Sequence, residues 1–261
     1  MKHVRSLSSE PPLLAKYRAN PAAGAQRPET AAAEVWARFR KREPDAYREL
    51  VEELARRQQG LCVYCEQRLV DEQGVLVRER YQVEHVVPKT AAIGLVLDWT
   101  NLALACWGTV SSGTDKSCGA AKGNRRLPDG CEPRAIPLLK PLLDVGTNGK
   151  LIVNHVNCGL AGVVPDQIET TIEILNLDSD RIRKPRQDAG DAIREKVAEL
   201  MQALAAANVA EAQQQQAFEE LIANRLCPNA AGSIASFWSA ERSALGPPAE
   251  IWISGNQGLF Q

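Results

Sequence analysis

Cys62 and Cys65 stand two residues apart in the segment GLCVYC, and Cys106 and Cys118 follow further along the chain. Four thiolates in this order suit a tetrahedral zinc site of the closed, structural kind, which leaves no open position for a substrate. Such an ion would be scaffold. The second pair is wide, with eleven residues between Cys106 and Cys118, so the reading of some of these cysteines as buried free thiols stays open. Cys131, Cys158 and Cys227 are expected to be free thiols of that kind.

Between the two cysteine pairs the sequence reads VEHVVPK and then WTNLALAC. Of three histidines, His85 alone adjoins a carboxylate, Glu84, and Asn101 falls in the same window. His3 and His155 read as structural residues. A group that exchanges protons near neutral pH, a carboxylate and an amide, all bracketed by a zinc-type cysteine set, mark this window as the place for chemistry.

The elements that must position these residues are legible in part. Thr30 reads as a helix cap, with Trp36 and Phe39 on one face of the helix that follows. Pro44 suits a first helical turn, and Tyr47, Leu50, Val51 and Leu54 keep an amphipathic spacing until Gly60 stops the helix just before Cys62. Two extended runs follow around a glycine turn, with Val75, Val77, Tyr81 and Val83 alternating along the second. Adjacent residues of a regular strand point to opposite faces. Glu84 and His85 could share a pocket only if the strand is already ending there, as Pro88 suggests. Later, GKLIV reads as a strand, IEILNLDSDRIRKPR as a short apolar element entering a basic stretch, and two helices follow with Asn208 and Glu211 as a capping pair between them.

The 261 residues carry 31 basic and 32 acidic side chains, so any polyanion contact must come from local clusters. No segment has the length and apolarity of a membrane span, and no secretory signal is legible at the start. A soluble, cytoplasmic protein without membrane contact is the expectation. The division expected is an N-terminal arm and helices over 1–60, a core over 61–130, and a mixed then helical region over 131–261.

The order Cys-x2-Cys, Glu-His-x2-Pro, Asn-Leu, Cys, Cys-x3-Lys resembles the HNH endonuclease family. With CGAAKGN, GKLIV and IEILNLDSDRIRKPR it is similar to the HNH subunits of Septu anti-phage defence systems, including those encoded with retrons. The resemblance implies an α+β fold: a ββα-metal core with a zinc knuckle, flanked by mainly helical regions. It implies that His85 is a general base, that Glu84 is a ligand of a catalytic Mg2+ or Mn2+, and that Asn101 orients the histidine and its loop. The structural Zn2+ would sit on Cys62, Cys65, Cys106 and Cys118. The substrate would be nucleic acid, DNA ahead of RNA, and an ATPase subunit would be the partner. No Gly-rich phosphate loop is present here, so nucleotide sensing would come in trans.

One position departs from the pattern. Where such nucleases carry a second metal ligand after the last cysteine, this chain has Gly119, with Asp115 or Asn124 as nearby substitutes. Lys116, Lys122, Arg125 and Arg126 are expected as phosphate contacts, without base readout, and Arg181, Arg183, Lys184 and Arg186 form a second basic cluster. A zinc-stabilised binding module without turnover is the competing reading.

Overall fold

A computed structural model describes residues 2, 4, 7–20, 32–91, 93–109 and 115–260; the expected cap at Thr30 and the residue His3 lie outside them. Helices α1 (Pro12–Arg18), α2 (Ala32–Arg42) and α3 (Pro44–Arg57) open the chain. Their apolar stripes meet as the spacing requires: Leu14, Val35, Phe39, Leu50 and Leu54 are buried, and the rings of Tyr17 and Trp36 lie 5.2 and 5.6 Å from that of Phe39. Gly60, with φ +76°, turns the chain toward Cys62, and a Cβ there would lie 2.6 Å from Val70 Cγ2. Gln58 stitches this turn to the sheet, donating to the carbonyls of Leu61 and Leu104 at 2.8 Å each and accepting from Leu104 N at 2.7 Å.

The extended run over 75–83 is not one strand. Isolated bridges join Leu61 to Arg68 and Val70 to Leu76, a 3-10 turn occupies Arg78–Arg80, and β1 comprises only Gln82–His85. Asp71 Oδ1 accepts from Gln73 N and Val75 N, which fixes a local turn, and Val75 is left exposed. β1 pairs antiparallel with β2 (Leu102–Ala105), matching Gln82 with Ala105 and His85 with Leu102. The short helix α4 (Cys118–Lys122) follows.

The strand read from GKLIV is β4 (Leu151–Val153), which forms a hairpin with β3 (Leu143–Val145). Beyond it lie α5 (His155–Ala161), α6 (Pro165–Leu175), α7 (Asp180–Ala207), α8 (Glu211–Leu226), α9 (Trp238–Leu245) and α10 (Pro247–Gly255). The basic stretch is thus the first part of α7, which tolerates Pro185. Asn208 sits at the C-terminus of α7 with φ 48° and ends that helix, while α8 opens at Ala210 without a side-chain cap, so the expected capping pair does not form.

The main core runs through the regions on both sides of Cys62: Leu14, Phe39, Tyr64, Leu104, Leu175 and Phe237 belong to one buried cluster. A second cluster, with Ile193, Ile222, Trp238 and Phe260, holds the C-terminal helices together. Among the described residues the fold is thus mixed α and β with two small sheets. Among the described residues no helix is long and apolar enough to cross a membrane.

Candidate metal centre and histidine site

Cys62, Cys65, Cys106 and Cys118 converge, all buried, with their sulfurs within 4.8 Å of one another. The Cys65–Cys106 and Cys62–Cys118 sulfurs are 3.7 and 4.0 Å apart. Four sulfurs at about 2.3 Å from one tetrahedral ion would stand roughly 3.8 Å apart, so the cluster already has the spacing of a zinc site. The wide second pair closes because Gly108, φ +68°, brings the chain back to Ser117: Ser117 N donates to Gly108 O at 2.8 Å, and a Cβ on Gly108 would meet Ser117 O at 2.0 Å. Cys106 N donates to Cys62 Sγ at 3.2 Å and Arg181 Nη2 to Cys106 Sγ at 3.4 Å, polar support of the kind that stabilises clustered thiolates. The Cys106 thiol is held well below its ordinary range by hydrogen bonds from Cys118, Cys62 and Cys65, with the Arg181 charge adding to them. Among the described residues no other group of three or more His, Cys, Asp or Glu side chains comes together this closely.

Arg181 is thereby explained, since it also donates to Ser117 Oγ at 3.1 Å and Gln67 Oε1 at 3.1 Å. The rest of that basic run is paired within the chain: Arg183 with Asp180 and Lys184 with Asp188 along the surface of α7, while Arg186 is buried on Gly149 O, Leu177 O and Asp178.

Glu84 and His85 lie side by side in β1, and pairing continues past them, with Val86 N donating to Asn101 O at 3.0 Å. His85 is nevertheless the last residue of β1, so the strand is ending here as Pro88 suggests, and the two side chains have different partners. Glu84 Oε1 is 2.9 Å from Lys122 Nζ and accepts from Tyr64 Oη at 3.2 Å. Its Oε2 faces Gly119, where a Cβ would approach to 2.4 Å. Glycine at 119 is thus what lets the carboxylate lie against α4. Tyr64 keeps its proton to well above the ordinary phenol range, through burial first and the Glu84 charge second.

The His85 ring packs edge-on against Trp36, ring centres 5.0 Å apart, and its Nε2 lies 3.0 Å from Val96 O. A carbonyl only accepts, so Nε2 carries the proton and Nδ1 presents a lone pair. Burial, with the charges of Lys89 and Lys122 behind it, pushes the imidazole pKa down to about 4 against the Val96 bond, so the ring is neutral at pH 7. Asn101 is buried and pins the loop that carries Val96: its Nδ2 donates to Val87 O at 2.9 Å and Leu95 O at 3.2 Å, and its Oδ1 accepts from Val87 N at 2.7 Å.

The four expected phosphate contacts separate. Lys122 is 1% exposed, bonded to Glu84 and to His85 O at 3.1 Å, so it faces inward and not toward solvent. Arg125 Nη2 donates to Ala121 O and Ile174 O at 2.7 Å each, which ties it down at the surface. Lys116 and Arg126 are exposed. Asp115 Oδ1 accepts from Asn176 Nδ2 at 3.2 Å, and Asn124 is exposed; neither contacts Glu84. Lys122 and Tyr64 were missed by the sequence reading as partners of Glu84, and only the i, i+4 relation of Cys118 to Lys122 hinted that the lysine shares a face with the metal cluster.

No family model matches the chain. It is similar to the Septu protein PtuB of Bacillus thuringiensis, with 30% identity over 144 residues, covering 54% of this chain and 46% of that protein. The matched part thus spans less than half of the length of that relative.

Proposed function

We propose that this protein is a metal-dependent endonuclease of the HNH type, the effector of an anti-phage defence complex whose ATPase subunit controls it. The observation that carries this reading is the neutral His85 imidazole, fixed through Nε2 on Val96 O and left with a free Nδ1, one residue from the Glu84–Lys122 pair. The similarity to a Septu protein supports the defence context.

In this reading His85 Nδ1 takes the proton of an attacking water, which suits a base that is not already protonated at pH 7. Glu84, through Oε2, is the residue that would hold a catalytic Mg2+ or Mn2+, an ion that binds one or two carboxylates and completes its shell with waters and substrate phosphate. The donor set fits such a one-carboxylate site, and with Gly119 beside it no second protein ligand is required. The ion supplies charge neutralisation on the phosphate and the leaving oxygen. Lys122 balances the other carboxylate oxygen and keeps Glu84 in place. Asn101 acts as an orienting residue through the Val87–Val96 loop. The four cysteines would hold a structural Zn2+ that pins the turn after α3, the end of β2 and the start of α4.

The test is cleavage of plasmid DNA and of total RNA with Mg2+ or Mn2+, with and without the proposed ATPase subunit. Cleavage that His85→Ala abolishes is expected. Absence of cleavage under every condition, or cleavage indifferent to His85→Ala, overturns the enzyme reading. The buried Lys122 ammonium on the lone carboxylate favours the second reading, a zinc-stabilised nucleic-acid-binding or interaction module, and that result would select it.

A further inference from the structure

Beside the His85 face of β1 lies a cleft of about 790 Å³ that no residue role above uses. Four cations line it, Arg40, Lys41, Arg78 and Lys89, and no acidic residue does. None of the four has an ion-pair partner among the described residues, in contrast to the engaged arginines of α7. They come from three separate segments: the last turn of α2, the 3-10 turn before β1, and the residue after Pro88. Basic residues in a helix's last turn suit its dipole. That account covers Arg40 and Lys41 but leaves the convergence of Arg78 and Lys89 unexplained.

Aromatic rings are interleaved with these charges. Trp36, Tyr47, Tyr81 and Trp107 line the same cleft, and Trp107 is 49% exposed, a large indole offered to solvent. Arg40 already lies over the Tyr47 ring at 5.1 Å. Continuity with the candidate site is direct: Val83 lines the cleft and His85, two residues on, shares its strand face, while Trp36 is both a wall of the cleft and the neighbour of the imidazole.

We infer that this cleft is the substrate-strand groove: it takes a nucleic-acid strand with unpaired bases, cations on its phosphates and Trp107 stacked on a base. The inference rests on the nuclease reading for its purpose, though not for its binding test. Positive grooves with exposed aromatic platforms favour single strands, because a base can stack only when it is not paired inside a duplex.

Binding is measured with the full-length, zinc-loaded chain, by fluorescence anisotropy on a labelled mixed-sequence single strand of about 20 nucleotides and on its blunt duplex, without added divalent ions. Tighter binding of the single strand is expected. Arg40→Ala with Arg78→Ala should weaken it about tenfold and flatten the slope of log affinity against log salt by about 1.4, two phosphate contacts' worth. Trp107→Ala should weaken single-strand binding roughly tenfold and leave the salt slope unchanged. Lys150→Ala with Lys196→Ala, remote surface charges, serves as the control, and zinc content with the melting curve verifies folding. Wild-type affinity and slope in the Arg40/Arg78 variant, a duplex bound as tightly as the single strand, or no binding at all overturns the inference. Strand binding that His85→Ala leaves intact, in a protein that cuts nothing, would keep the groove and remove the nuclease; cleavage that persists without the groove would do the reverse.

Discussion

Single residues decide the chemistry proposed for this protein, and Gly119 is the most informative. In the sequence it reads as a missing ligand; in the structure it is the room that Glu84 Oε2 occupies. A methyl group there must push the carboxylate away by about 1 Å, and displacements of that size at a reacting centre cost about a hundredfold in rate. Gly119→Ala is therefore expected to lower cleavage by at least tenfold while moving the melting temperature little, since the atom it meets is the end of a side chain. A wild-type rate in that variant would show that the carboxylate position is irrelevant. His85→Ala should abolish cleavage with the zinc content and circular dichroism unchanged. The cysteines, the histidine and the asparagine could be picked out from their spacing alone. Lys122 and Tyr64 could not, because nothing in a linear sequence says that a lysine four residues past a cysteine turns inward onto a carboxylate.

Among elements, the four-cysteine cluster is the junction, and the zinc proposed for it would hold that junction together. It gathers the turn after α3, the end of β2 and the start of α4, and Arg181 of α7 reaches it from the C-terminal region. Structural zinc contributes folding free energy directly, with values on the order of 10 kcal/mol in small domains. Cys118→Ser is accordingly expected to lose the metal, by elemental analysis, and to melt at a much lower temperature than the parent protein. Glu66 supplies a second link. With φ +66° it turns the knuckle back, and its carboxylate accepts from Ser239 N at 2.8 Å and Ser239 Oγ at 2.7 Å at the start of α9. Hydrogen bonds to a buried charge contribute about 1.5–3 kcal/mol, so Glu66→Gln should destabilise the protein by roughly that amount in denaturant titration. Element types were readable where apolar spacing was long, as in α2 and α3. The run over 75–83 is not one strand because a side-chain turn and a 3-10 segment interrupt it, leaving pairing only at the Leu76 bridge and in β1 from Gln82 on.

The N-terminal helices, the cysteine region and the start of the C-terminal region are coupled through the main core. Val4 N donates to Pro133 O, and the buried cluster that holds Tyr64 and Leu104 also holds Leu14, Leu175 and Phe237. A fragment limited to residues 61–130 would leave its side of that cluster facing water, and it is expected to show no cooperative thermal transition even with zinc supplied. A sharp melt for the fragment would contradict this. Such long-range coupling is invisible to a reading made window by window, which is why the motif residues were legible and their supports in α7 and α9 were not. The sealed position of Lys122 gives this coupling a chemical clock. Amine-reactive reagents should modify exposed lysines such as Lys41 and Lys150 within minutes, while Lys122, enclosed at 1% exposure, waits for the fold to open. Its rate of labelling in a mass spectrum therefore reads how often the protein exposes its own centre, and a bound strand or partner that tightens the structure would be seen as that clock slowing.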